Sequence, residues 1–228
     1  MNAINSQIEA DGYALVRDCV SEETIQALEQ ALDADQHGIR NLLSNQIVRR
    51  IAASDQVRKP VASVLGDKCF AVRGIFFNKS PQANWKVTWH QDCAIAVREK
   101  LDIEGWGPWS SKAGVIHVRP VAAILQRMLA IRIHLDNCGE DNGPLRLIPG
   151  SHRDGILSDA EIQSRSKENG VACAALRGDA ILMRPLTLHS SRPATMPSNR
   201  RVVHLEFAAA ELPHGVRWQD CVREDRWR

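Results

Sequence analysis

The chain changes character at Cys69, and that change limits the folds open to it. Up to Leu65 apolar residues recur at the helical period; beyond Cys69 the sequence breaks into short runs of β-formers divided by turn residues. In the first part, Ser21 is placed to cap a helix opening with Glu22 and Glu23, and Ile25, Leu28 and Leu32 form one apolar stripe. Two further helices are expected over about 42–53 and 55–65, the second bent or delayed by Pro60 and closed by Gly66-Asp67. In the second part, strands are expected over 69–77, 128–135, 145–148, 171–176, 180–183 and 201–208, with an extended stretch over 86–90. Asp141-Asn142-Gly143-Pro144, Pro149-Gly150-Ser151 and Gly178-Asp179 supply the turns. One short helix interrupts the strands, with Ser158 and Glu161 as its capping box and Gly170 beyond its end. The segment 93–120 contains Gly and Trp with weak periodicity and reads as a long loop or lid. Helices first and strands after predict a helical layer packed on one sheet of a β-sandwich or barrel. The inner face of the strands is then free to line a pocket.

At 228 residues a single domain is expected, with 1–68 as mainly helical support and 69–210 as the β core. A composition 44% apolar and 25% charged suits a soluble protein with a substantial core. The net charge of +2, from 29 basic and 27 acidic residues, offers no basic excess for nucleic acid or a membrane surface. The basic end around Arg223, Arg226 and Arg228 is interrupted by Glu224 and Asp225 and reads as a solvated terminus. The six cysteines show no Cys-x-x-Cys spacing, so zinc knuckles and redox motifs are unsupported. The segment from Met1 to Asn5 lacks the basic and apolar regions of a signal peptide, and no apolar run approaches a membrane span. Reduced thiols in a cytoplasmic protein are expected.

Within this frame stand His90-Gln91-Asp92, a second histidine at His189, and Arg200 eleven residues further on. Two histidines and one carboxylate are the ligand set that holds iron(II) on one face and leaves positions open for oxygen and a cosubstrate. His90 and Asp92, two apart at the end of an extended stretch, can converge on one cation. An arginine after the distal histidine suits the far carboxylate of 2-oxoglutarate, which it can pair with in fork geometry. A lone His-x-Asp is common and is better accounted for as two ordinary polar residues, so the wider sequence carries the weight.

That wider sequence resembles the phytanoyl-CoA dioxygenase family of double-stranded β-helix oxygenases, from about Gly12 to Phe207. The resemblance lies in Phe77-Asn78-Lys79-Ser80-Pro81, Trp89-His90-Gln91-Asp92, the stretch from Asn142 to His152, Gly178-Asp179-Ala180, and His189-Ser190-Ser191 with Arg200. It implies a jelly-roll, cupin-like core behind an N-terminal helical layer. It implies iron(II) at His90, Asp92 and His189, and 2-oxoglutarate at Arg200 and Ser191. It implies a mainly architectural role for the stretch from Asn142 to His152, and His152 reads as a structural, hydrogen-bonded histidine. Related halogenases carry a small residue where Asp92 stands, so hydroxylation or another oxidative outcome is expected here.

Strand alternation extends the site. Arg200, Val202, His204 and Glu206 share one face of their strand, and Arg201, Val203, Leu205 and Phe207 the other. With Arg200 toward the pocket, the second set packs against the helices. Likewise Ile131, Ile133 and Leu135 pack while Arg132 and His134 point inward. Arg132 is thus a second basic group for substrate or cosubstrate, or else one half of a surface salt bridge. Trp85, Trp89, Trp106 and Trp109 either shape an apolar pocket or fill core. Lys79, Lys86 and Arg98 either bind an anionic substrate or decorate a solvated loop. Cys93, beside a ligand, reads as a site of oxidative damage and not as a nucleophile.

The expected activity is iron(II)- and 2-oxoglutarate-dependent oxidation of a small-molecule metabolite by O2, hydroxylation being the default, with release of succinate and CO2. A non-catalytic β-barrel binding protein would have no need of all four candidate residues. A cupin-like metal isomerase or hydrolase would need neither the arginine nor oxygen.

Overall fold

The computed structural model describes residues 3–32, 37–168 and 170–223. Four helices occupy the first third: α1 (Ala3–Asp11), α2 (Glu22–Ala31), α3 (Gln46–Ala53) and α4 (Asp55–Leu65), with short strands β1 (Tyr13–Val16) and β2 (Gly38–Ile39) between them. Ser21 caps α2 by accepting a hydrogen bond from the Thr24 amide, as its position predicts. Helix α4 includes Pro60 within its span. The Gln56 carbonyl, four residues back and without the proline's missing amide, accepts from the Cys19 thiol at 3.6 Å. α1 and β1 have no counterpart among the elements expected from sequence.

Beyond Gly66 the chain is mostly β: β3 (Phe70–Lys79), β4 (Val87–His90), β5 (Ile95–Val97), β6 (Trp109–Lys112), β7 (Val115–Val118), then a helical turn α5 (Ala122–Leu125) and β8 (Met128–His134). After β9 (Leu145–Leu147) comes α6 (Asp159–Arg165), opened by the expected capping box of Ser158 and Glu161. The last strands are β10 (Val171–Cys173), β11 (Ala180–Met183), β12 (His189–Ser191) and β13 (Arg200–Ala208). A six-stranded sheet has the order β1-β11-β8-β13-β3-β2, and a four-stranded sheet the order β10-β9-β12-β4. All pairings are antiparallel, and the fold is the double-stranded β-helix type with helices on one flank.

The segment 93–120 is no loop: β5, β7 and β6 form a third, three-stranded sheet. Its strands hide from pattern reading because β5 is buried at every residue while β6 is largely exposed, so neither alternates. The strand expected over 171–176 stops at Cys173, and Ala175 instead bridges to Cys138.

The core lies in three places. Helices α1 to α4 cover one face of the large sheet, where Ile131, Ile133, Leu135, Val203, Leu205 and Phe207 join Ile25, Leu28, Val48 and Val57. Each fully buried aliphatic side chain there contributes roughly 1.5–3 kcal/mol of transfer free energy. A second cluster ties the small third sheet to the end of β3 through Phe70, Val72, Ile95, Val118 and Trp106. A third, with Tyr13, Leu145, Leu147, Ile181 and Met183, joins the two larger sheets to one side. The remaining inner face is left for polar groups. All six cysteines are free. No helix among the described residues is long and apolar enough to cross a membrane. Of the basic end, Arg223 is described and reaches Glu211, whereas Arg226 and Arg228 lie outside the described residues.

Candidate metal centre

β4 and β12 are neighbours in the four-stranded sheet, and their register places His90 directly across from His189. The ring centroids are 4.2 Å apart. Asp92 lies just past the end of β4, where its amide donates to the Pro185 carbonyl at 2.9 Å. Its carboxylate then approaches His189 Nε2 at 3.5 Å and His90 Nε2 at 3.8 Å. Among the described residues these three are the group able to hold a metal, with their ligand atoms all within 4.8 Å of one another. His152 is outside it and packs against Gly12 instead.

Both imidazoles are held in the form that a metal requires. His90 Nδ1 lies 2.9 Å from the Thr88 carbonyl, and His189 Nδ1 lies 2.9 Å from the Thr187 carbonyl. A carbonyl can only accept, so each Nδ1 carries a proton and each Nε2 is the nitrogen turned to the shared point. Burial is the largest influence on His189 and brings its pKa down to about 4 despite the attraction of Asp92, so the ring is neutral at pH 7. Burial acts to raise the Asp92 carboxyl, but His189, His204, His90 and Arg132 together outweigh it and hold it well below the usual range. Two imidazoles and one carboxylate fit iron(II).

Gln91, between the ligands, faces the other way and is buried. Its Nε2 donates to the Gly155 and Leu186 carbonyls, each at 2.8 Å, and its Oε1 accepts from the Leu157 amide at 2.8 Å. Two chain segments, 155–157 and that of Leu186, are thereby fastened behind the metal ligands. Cys93 follows: burial first and Asp92 second push its thiol up to about 11, so little reactive thiolate forms near neutral pH.

The site opens into a cavity of about 330 Å³. Arg200, His204, Glu206 and Arg132 line it, so the alternation expected for β13 and β8 holds. Arg132 is therefore not part of a surface salt bridge: its Nη1 meets His204 Nδ1 at 3.1 Å, its guanidinium lies over the Phe77 ring, and its Nε is buried without a partner. Arg200 is also buried, donates to the Gly143 carbonyl, and leaves its Nε unpartnered. Directly across from it on β3 stands Lys79, whose ammonium donates to Ser191 Oγ at 2.6 Å and to the Arg192 carbonyl at 3.2 Å. Burial, then the nearby Arg200, brings the Lys79 pKa down to about 7. Ser191 thus reaches this end of the cavity already engaged by Lys79.

Of the four tryptophans near the motif, Trp85 lines the cavity. Trp106 is buried in the second core cluster and Trp109 packs against it. Trp89 points away toward Gly170, where an added Cβ would come within 2.4 Å of its ring. Lys86 lines a separate groove and Arg98 is exposed, so neither reaches the cavity. Pattern reading missed Arg40, Arg73 and Lys112 in the lining. For Arg73 the signal was available, because it precedes Ile75, Phe77 and Lys79 at steps of two on one strand face.

The model of the phytanoyl-CoA dioxygenase (PhyH) family matches residues 8–202. Among solved structures, EctD from S. alaskensis with bound Fe is similar at 20% identity and a TM-score of 0.68, covering 92% of this chain and 77% of that one. HygX from Streptomyces hygroscopicus, solved with nickel and 2-oxoglutarate, is similar at 12% identity and a TM-score of 0.66, covering 91% and 86%. The carbocyclase SnoK from nogalamycin biosynthesis is similar at 15% identity and a TM-score of 0.71, covering 92% and 85%. These likenesses show a shared fold. No curated protein matches the chain in sequence.

Proposed function

Since this chain belongs to the phytanoyl-CoA dioxygenase family, we propose that its iron- and 2-oxoglutarate-dependent oxygenase chemistry is the hydroxylation of a small-molecule metabolite, with release of succinate and CO2. The observation that carries this reading is the convergence of two Nδ1-anchored histidines and a carboxylate beside buried arginines that lack anionic partners. Iron(II) with 2-oxoglutarate supplies the oxidising power for an unactivated C–H bond.

The residues divide the remaining work. His90, Asp92 and His189 hold the metal, and their crowding on one side leaves the cavity side open. Arg200 presents a buried cation at one end of the cavity, with Lys79 across from it on β3, and neither has a carboxylate within salt-bridge distance among the described residues. The far carboxylate of 2-oxoglutarate supplies that missing charge, with Ser191 held beside it by Lys79. Arg132, with a free Nε and its stacking on Phe77, is placed for the carboxylate nearer the metal or for substrate. Asp92 occupies the position that halide would need, which favours hydroxylation. Substrate and cosubstrate share a cavity of about 330 Å³, a size suited to small ligands. In this reading the whole chain works as one oxygenase domain.

The test is succinate formation from 2-oxoglutarate with added iron(II), together with Mn(II) binding by calorimetry. Asp92→Ala and His189→Ala are expected to abolish both. Turnover that survives either substitution refutes the ligand assignment.

A further inference from the structure

The charge balance of the cavity points to the kind of substrate it takes. Five cationic side chains line it, Arg40, Arg73, Lys112, Arg132 and Arg200, against two carboxylates, Asp92 and Glu206. Three positive charges are left over. Iron(II) adds two and the 2-oxoglutarate dianion removes two, so the excess persists in the loaded site.

The surplus has a location. β3 and β13 pair so that Lys79 faces Arg200 at one end and Arg73 faces Glu206 at the other. Arg73 and Lys79 are six residues apart on β3, a distance on the order of 20 Å. With Lys79, Arg200 and Arg132 at or toward the cosubstrate end, the cations of the other end are Arg73, Arg40 and Lys112. Arg73 is only partly satisfied: its Nη1 serves both Glu206 Oε1 at 3.0 Å and the Ala94 carbonyl at 3.3 Å, and its other guanidinium donors have no partner among the described residues. Arg40 and Lys112 form no ion pair among the described residues.

These rim cations are positioned by structure. Lys112 and Val115 close the β6–β7 hairpin through Ala113 and Gly114, with φ of 50° and 76°. Positive φ at both central residues is the tight turn matched to strand twist. Asn41, next to Arg40, donates from Nδ2 to the Ala113 carbonyl at 3.3 Å, fastening the segment after β2 to that turn. Between this rim and the cosubstrate end, Ile75 and Phe77 present an apolar wall on the same strand face as Arg73.

We propose that the substrate is a small amphipathic organic anion, its carboxylate or phosphate held by Arg73, Arg40 and Lys112 and its apolar body lying along Ile75 and Phe77 toward the metal. The proposal rests on the oxygenase reading above and deepens it.

The test uses the full chain loaded with Mn(II) and saturating 2-oxoglutarate, which keeps added acids out of the cosubstrate end and prevents turnover. Binding of matched probes is measured by calorimetry: octanoate and shorter acids, the corresponding primary amides, and octyl phosphate. The acids or the phosphate are expected to bind at least about tenfold more tightly than the amides, and the stronger of the two identifies the head group. The double variant Arg40→Gln/Lys112→Gln, both at exposed positions, is expected to remove most of that preference while amide binding stays the same. Arg73→Gln is the second variant, read in the same way. Equal binding of acids and amides, no binding by any anion, or a double variant that keeps the full preference overturns the proposal. Titration of Mn(II) and 2-oxoglutarate alone reads the oxygenase assignment separately, so a failure there is distinguishable from a failure of the anion site.

Discussion

Replacing Gln91 with Leu isolates what holds the metal ligands from behind. Besides a long contact from the Cys93 thiol at 3.9 Å, the side chain makes three hydrogen bonds, to the carbonyls of Gly155 and Leu186 and from the amide of Leu157. Leucine nearly matches the volume and supplies none of them. At about 1 kcal/mol net for each bond, the expected loss is about 3 kcal/mol. For a chain of this size that corresponds to a fall in Tm of roughly 9 °C. A second effect separates this position from ordinary core damage. Asp92 is set by the backbone between Gln91 and the Pro185 contact, so releasing 155–157 and 186 loosens one of three ligands. Mn(II) affinity is then expected to drop about tenfold or more, in the range found when groups that orient metal ligands are lost. The comparison is Val57→Ala, in the fully buried face of α4, which costs a similar amount of stability but lies among the helices. Urea denaturation of the metal-free proteins gives stability, and calorimetry at 10 °C, where both variants stay folded, gives metal affinity. If Gln91→Leu binds Mn(II) as tightly as Val57→Ala, the buttressing argument fails. If its stability is unchanged, the three bonds have been overvalued.

Arg200→Ala is expected to raise the KM for 2-oxoglutarate at least tenfold in a succinate assay while Mn(II) binding holds; an unchanged KM removes Arg200 from that role. Gly143→Ala should both destabilise the protein and weaken 2-oxoglutarate binding. Gly143 sits at φ 59°, an added Cβ would lie 2.5 Å from the Arg192 carbonyl, and its own carbonyl accepts from Arg200; denaturation and cosubstrate titration check the two effects. His134 is buried with both ring nitrogens unpartnered, and burial followed by repulsion from Arg132 and Arg200 lowers its pKa to about 3. The unfolded chain takes up a proton at this residue near pH 6.5 and the folded chain near 3, so stability falls as pH drops through that window, by about 1.4 kcal/mol per unit. His134→Leu is expected to flatten this part of the acid profile, measured by urea denaturation from pH 7 to pH 4, without loss of stability at pH 7.

Periodicity was readable where an element buries one face, and it failed where pairing alone makes the element. The stripe of α2 and the alternation of β13 were both visible, because helices and large sheet share a single apolar layer. That alternation also placed His204 and Glu206 in the cavity along with Arg200. β12 reads His-Ser-Ser, with no β-former in it; it is a strand because β9 and β4 flank it on both sides. The third sheet was hidden by uniform burial in β5 and the exposure of all but Trp109 in β6. Of the two readings open for Trp106 and Trp109, pocket wall or core filler, the third sheet decides for the core. Arg40 and Lys112 left no trace, because they are brought to the rim by a contact between segments about 70 residues apart.

The two larger sheets divide the demands of the site between them. Metal ligands need narrow positional tolerance, and they sit where a cross-strand pair, two backbone carbonyls and the Gln91 clamp fix three side chains. Anion-binding cations need to be buried yet unpaired, an arrangement that costs stability unless a rigid layer supports it. Lys79, Arg132 and Arg200 stand on β3, β8 and β13, the strands with four helices packed behind them. The fold thus spends its main hydrophobic layer under the cations and not under the metal. It follows that weakening the helical layer should affect cosubstrate binding before metal binding, whereas weakening the Gln91 clamp should do the reverse. Val57→Ala and Gln91→Leu, each titrated with Mn(II) and then with 2-oxoglutarate, put that order to the test, and the same ranking of the two affinities in both variants would contradict it.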